Sequence, residues 1–99
     1  MKTVNILEEA ARDLEEAFDF YEIQEQGAGE YFAINLLADI DKLSITAGIH
    51  ITEFGFFRKL SEKFPFAIYY KENDDSIDVY AVLDLRKKPS WTRDELQGR

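Results

Sequence analysis

The spacing of apolar residues changes once along this chain, at Gly48, and that change restricts the possible folds more than any other feature. Before Gly48 the apolar residues recur at helical intervals. Leu7, Ala10, Ala11, Leu14, Ala17, Phe18 and Tyr21 fall on one face of a helix of about five turns. Glu8, Glu9, Arg12, Asp13, Glu15, Glu16, Asp19 and Glu22 fill its other face. Gly27-Ala28-Gly29 then breaks the pattern with two residues that tolerate positive φ, which stops the helix and reverses the chain. A second helix is predicted over residues 30 to 47, with Phe32, Ala33, Leu36, Ile40, Leu43 and Ala47 as its main stripe. Tyr31, Ile34, Ala38 and Ile45 form a second apolar flank. Two readings fit that flank: a helix wedged between its partner helix and a sheet, or a partly exposed surface for a protein partner.

After Gly48 aromatic and β-branched runs predict strands over Phe54 to Leu60, Phe64 to Lys71 and Ser76 to Leu85. Glu72-Asn73-Asp74-Asp75 suits a hairpin turn, so the last two strands pair antiparallel. In the last strand Ile77, Val79, Ala81, Leu83 and Leu85 alternate with Asp78, Tyr80, Val82, Asp84 and Arg86. Strict alternation puts the first set on the helices and leaves the second on an open face. Thr3 to Ile6 is a candidate extra edge strand. Pro89 ends the sheet, and a short terminal helix follows, with Thr92 and Glu95 at capping-box spacing and Trp91 pinning it to the sheet.

Composition narrows the chemistry. A chain of 99 residues, 45% hydrophobic, can bury roughly two-thirds of its unfolded surface, which suits a single domain over residues 1–99. There is no cysteine and one histidine, so disulfide scaffolds, cysteine-type zinc sites and thiol nucleophiles are excluded. His50 has no partner at ligand spacing, Asp74, Asp75 and Asp78 lack calcium-loop spacing, and Gly27 and Gly29 form no phosphate cradle. No cofactor or metal is expected. Nothing approaches the ~18 apolar residues of a membrane span or a secretory segment, so a cytoplasmic protein without membrane contact is expected.

The net charge of −8 is unevenly spread: residues 1 to 50 hold 11 acids and 3 bases, residues 51 to 99 hold 9 of each. Strong nucleic-acid binding by the chain alone is not expected, although the C-terminal half can present a local basic patch. Arg58, Lys59 and Lys63 flank the first predicted strand of that half, Lys71 ends the next, and Arg86-Lys87-Lys88 leaves the last, near Tyr69, Tyr70, Tyr80 and Trp91. Cations beside aromatics on adjacent strands suit a phosphate-holding, base-stacking surface, and even metal-free RNA cleavage. Edge lysines also serve simply to keep a sheet edge from pairing with other chains.

Several strings together resemble the RelE/ParE superfamily of toxins from type II toxin–antitoxin systems, closest to its ParE-like, plasmid-stabilisation branch. They are Ile6-Leu7-Glu8-Glu9-Ala10-Ala11-Arg12-Asp13-Leu14, Phe20-Tyr21, Gly27-Ala28-Gly29-Glu30-Tyr31-Phe32, Lys63-Phe64-Pro65-Phe66-Ala67-Ile68-Tyr69-Tyr70 and Ala81-Val82-Leu83-Asp84-Leu85-Arg86-Lys87-Lys88-Pro89-Ser90-Trp91. They span nearly the whole chain, and the last two strings are the most specific. The resemblance implies an α+β fold: an N-terminal helical hairpin packed on a twisted antiparallel sheet of three to four strands, with a short C-terminal helix.

It also implies partners and roles. Family toxins are neutralised by a cognate antitoxin that drapes over them. ParE-like members act on DNA gyrase by binding, whereas RelE-like members cleave messenger RNA in the ribosome with basic residues and a C-terminal aromatic. Arg86 matches the family's arginine after the last core strand, and Trp91 lies near that aromatic. Phe66 stands where the nucleases place an arginine, and Asp84 where many relatives carry histidine. A carboxylate two residues before Arg86 faces the same side and pairs with it. The primary expectation is therefore a growth-inhibiting, ParE-like protein-binding toxin. Its expected target and antitoxin surface comprises Arg58, Lys59, Lys63, Tyr80, Arg86, Lys87, Lys88 and Trp91, with Tyr31, Ile34, Ala38 and Ile45 on the second helix. The alternatives are a ribosome-dependent endoribonuclease, with Arg86 on the phosphate, Tyr70 or a lysine moving the proton and Trp91 beside them, or a member that has lost toxicity and acts as a binding module.

Overall fold

The computed structural model describes every residue from Met1 to Arg99. The chain runs β1 (Thr3–Ile6), α1 (Glu8–Gln24), α2 (Ala28–Asp41), α3 (Leu43–Thr46), β2 (Thr52–Glu53), β3 (Phe56–Leu60), β4 (Phe66–Glu72), β5 (Ser76–Asp84) and α4 (Pro89–Gln97). The strands form one sheet in the order β1-β5-β4-β3-β2. The α+β class, the helical hairpin and the terminal helix are those predicted. The sheet is mixed rather than wholly antiparallel and has five strands, because Thr3–Ile6 does join it, parallel to β5.

The first predicted strand is in fact a hairpin. Phe54 (φ 53°) and Gly55 (φ 87°) both adopt left-handed backbone between β2 and β3, as a two-residue turn matched to strand twist requires. The second predicted helix breaks at Lys42, where the chain turns into the single turn of α3. Just before the break Asp39, 3% exposed, accepts hydrogen bonds from Ser61 Oγ (2.7 Å) and the Glu62 backbone (3.3 Å). This ties the end of α2 to the β3–β4 loop.

Helices α1 and α2 meet closely at Gly29, where an added Cβ would stand 2.7 Å from the Phe18 carbonyl oxygen. The Glu22 carboxylate accepts from the backbone N–H groups of Gly27 and Gly29 and so caps α2, whose N-cap residue, Gly27, has no side chain to do so. Between this hairpin and the sheet lies the main core, with Phe32, Leu36, Ile40 and Leu43 against Phe66, Ile68, Tyr70, Ile77, Val79 and Val82. The Phe32 ring lies 5.0 to 5.1 Å from those of Tyr21, Phe64 and Phe66, each contact adding about 1 kcal/mol beyond burial.

The opposite sheet face is not open along its length. Phe56, Ala67, Tyr69, Ala81 and Leu83 form a second core there beneath Leu96 of α4, with Trp91 and Tyr80 packed at its edge. Regular alternation fails because of a bulge. Tyr69 pairs with Ala81 and Tyr70 with Val79, which leaves Tyr80 without a partner in the ladder. Ile77 and Val79 therefore face the helices while Ala81 and Leu83 face α4, and Leu85 lies beyond the strand, exposed. The predicted capping box is also absent. Pro89 is the first residue of α4 and Thr92 lies buried within it, while Glu95 pairs with Arg99.

Candidate functional site

The C-terminal end of β5 gathers part of the predicted set. Asp84 closes the strand and Arg86 follows in a turn, so both side chains emerge together. The guanidinium donates from Nε and Nη2 to the two Asp84 carboxylate oxygens, each at 2.9 Å, and the Arg86 backbone N–H donates to Oδ1 at 2.8 Å. Burial acts to raise the Asp84 pKa, but these Arg86 bonds outweigh it and hold the carboxyl below its ordinary value. The pairing read from the sequence is thus present, and it neutralises the arginine.

Arg86 also stands 5.9 Å above the Phe20 ring, and Lys87 Nζ 5.5 Å above Trp91. Phe20, Asp84, Arg86, Lys87 and Trp91 line a groove of about 290 Å³ between α1 and α4. Phe20 was not among the predicted site residues. Its place on the flank of α1, half exposed, is the signal that points to it. Arg58 and Lys87 border a second cleft, of about 240 Å³, with Phe54, Tyr69, Leu85 and Pro89. Arg58 pairs there with Glu53 at 3.3 Å, and its Nε is buried without an acceptor.

Other predicted residues fall elsewhere. Lys88 is exposed at the start of α4, and Lys59 lies half exposed on β3. Lys63 leaves the sheet for the helical side, its Nζ 5.9 Å over the Tyr31 ring. Tyr80 sits at the bulge, its ring 5.2 Å from Phe56 and capped by Lys71, so it belongs to the second core more than to a binding rim. Tyr31, Ile34 and Ile45 are 54%, 61% and 78% exposed, and Ala38 is exposed beside them, so the second flank is not wedged against the sheet. The flank faces solvent, and Leu37 joins it.

Tyr70 is not near Arg86. It pairs with Val79, four residues along β4 from the Phe66–Asp84 pair, a separation of about 13 Å. Its ring is fully buried on the helical side, and its hydroxyl accepts from the Gly48 N–H and meets His50 Nδ1. Burial pushes the phenol pKa up, against the Gly48 hydrogen bond, which is the wrong direction for a proton acceptor near neutral pH. Phe66 is equally committed, 6% exposed within the aromatic cluster. An arginine there would bury its charge in the core.

No helix of the structure is long and apolar enough to cross a membrane. No protein-family model and no curated protein matches the sequence. Among solved structures, a chain of "Chromosomal ParDE TA system from P. aeruginosa" superposes with a TM-score of 0.78 at 17% identity, over 86% of this chain and 97% of that one. The chain therefore shares the α+β fold of that chain from a toxin–antitoxin structure.

Proposed function

We propose that this chain is the toxin component of a type II toxin–antitoxin pair. In this reading it is a ParE-like cytoplasmic protein that inhibits a target such as DNA gyrase by binding it, and a cognate antitoxin neutralises it. The observation that carries the reading is the fold, shared over nearly the full length of a chain from a toxin–antitoxin structure. Protein binding is preferred to RNA cleavage because the groups needed for cleavage are engaged elsewhere. Asp84 holds Arg86, Phe66 fills the core, and Tyr70 lies buried about 13 Å away along the sheet.

The binding surface in this reading is the groove between Phe20 and Trp91 and the cationic rim of Arg86, Lys87, Lys88 and Arg58. A supercoiling assay with purified gyrase, run beside transcript mapping after induction, tests it. Inhibited supercoiling with intact transcripts is expected. Codon-positioned cuts in messenger RNA, lost in Arg86→Ala, would establish the nuclease reading instead.

A further inference from the structure

We propose that a second copy of this chain covers the outer face of α2, with the two helices parallel about a two-fold axis. At 3.6 residues per turn, Ile34 and Ala38 fall on the side of α2 opposite Leu36 and Ile40, which lie in the main core. Tyr31 and Leu37 flank them, and Tyr31, Ile34 and Leu37 each leave about half of their surface or more exposed. This apolar centre lies wholly on α2. From Tyr31 to the C-cap residue Lys42 it runs about 17 Å, or three turns.

The charges beside it are of both signs, and they are sorted. Glu30, Leu37 and Asp41 follow one another along the side nearer α1, the side on which Gly29 meets Phe18. Lys42 and Lys63 border the other side, next to the β3–β4 loop. Lys42 pairs there with Glu62 at 2.8 Å, and the Lys63 Nζ stands 5.9 Å over the Tyr31 ring. Glu30, Asp41 and Lys63 are exposed and take part in no ion pair. Lys42 donates to Glu62 alone, so its ammonium keeps N–H groups for a further carboxylate.

A stripe with acids along one side and bases along the other selects its partner. A helix of a single sign would meet like charge along one side, whichever sign it carried. A helix that satisfies both sides must itself carry an apolar centre between an acidic and a basic side, and a second copy presents that pattern. The two-fold axis then fixes the direction. With the helices parallel, the acidic side of each copy lies against the basic side of the other, Glu30 toward Lys63 and Asp41 toward Lys42. With the helices antiparallel, acid would face acid and base would face base. Ala38, small and near the axis, lets the two backbones approach. Three helical turns make a contact smaller than the ~800 Å² per partner of a standard interface, so the dimer is weak and reversible.

The test is sedimentation velocity of the full chain from about 5 to 500 µM, where the mass is expected to rise from one copy to two with a Kd of about 50 µM. Ile34→Asp is expected to weaken association by about tenfold or more. Glu30→Lys with Asp41→Lys makes both sides basic, and Lys42→Glu with Lys63→Glu makes both acidic. Each of these variants alone is expected to stay monomeric, and their equimolar mixture to dimerise. Direction is read by cross-linking in an otherwise unaltered chain, which contains no cysteine. In the parallel arrangement every position of the stripe meets its own copy, so Tyr31→Cys and Ala38→Cys are both expected to give disulfide-linked dimers on mild oxidation. An antiparallel pair would link only at Ala38→Cys, near the middle of the stripe.

A monomer at every concentration, a dimer indifferent to Ile34→Asp, a mixture that stays monomeric, or linkage at Ala38→Cys alone would overturn the inference. It stands apart from the toxin–antitoxin reading, which is read from growth. A toxic monomer would sink the dimer and keep the toxin, and a dimer without toxicity would do the reverse.

Discussion

Asp13 and Arg99, 86 residues apart, meet in a two-pronged ion pair at the point where β1 ends and the edge of β5 loses its strand partner. Arg99 Nη2 donates to Asp13 Oδ1 at 3.1 Å and Nη1 donates to Oδ2. The same groups serve the bulged strand. The Val82 N–H donates to Asp13 Oδ2 at 3.0 Å, and the Tyr80 carbonyl accepts from Arg99 Nη1 at 3.2 Å. Two side chains thus satisfy backbone that no strand reaches, and they fasten α4 to α1.

Arg99→Ala would leave Asp13 and the Tyr80 carbonyl without their partner in a site where the two side chains are only 9% and 12% exposed. A loss of about 3 kcal/mol is expected in urea unfolding, with the slope of the transition unchanged. A loss below about 0.5 kcal/mol would mean that the network is a surface contact and no more.

Gly29→Ala tests the closeness of the helical hairpin. Its new Cβ would meet the Phe18 carbonyl oxygen at 2.7 Å, a backbone atom that cannot step aside alone. Destabilisation by about 2 kcal/mol is expected from thermal or urea melts.

Phe54→Asn is expected to stabilise the chain. Phe54 holds a left-handed backbone that costs a bulky residue about 1 kcal/mol, whereas Asn at that turn position is among the preferred residues. Phe54 is 43% exposed and belongs to neither core, so the strain relieved outweighs the contact given up, and a rise of about 0.5 kcal/mol is expected by urea midpoint.

His50 gives the fold a pH dependence near neutrality. Burial and then repulsion from Lys59 hold its pKa below the ordinary 6.5, consistent with a neutral ring accepting the Tyr70 hydroxyl proton. An unfolded chain takes up a proton below about pH 6.5 that the folded chain resists, so stability falls as pH drops from 7.5 to 5.5. Urea midpoints at the two pH values are expected to differ in wild type and to converge in His50→Gln. Equal wild-type midpoints would remove His50 from the account.

The helical half was legible because its pattern is local: the stripe from Phe32 to Leu43 and the reversal at Gly27 are decided by neighbours within a few residues. The pairing of Asp84 with Arg86 was legible for the same reason. The bulge at Tyr80 was not. Both faces of β5 are apolar, so the switch of Ala81 and Leu83 to the α4 side leaves the hydrophobic alternation unchanged. The turn at Phe54-Gly55 hid inside an aromatic run because phenylalanine is an unusual first residue for it. Arg99 and Asp39 act through contacts made only on folding, which no spacing rule reaches. Tyr70 stood as a proton carrier only in the nuclease alternative, and its side of the strand and its depth come from the three-dimensional packing.

The central claim is that the chain arrests growth through a protein target and is held in check by a protein partner. The most direct measurement is the colony-forming count after inducing the chain alone in a bacterial host, against the same induction with any small protein encoded beside it co-expressed. The account predicts a fall in viable cells that the neighbour restores. Undiminished colonies from cells expressing the folded chain alone would contradict it.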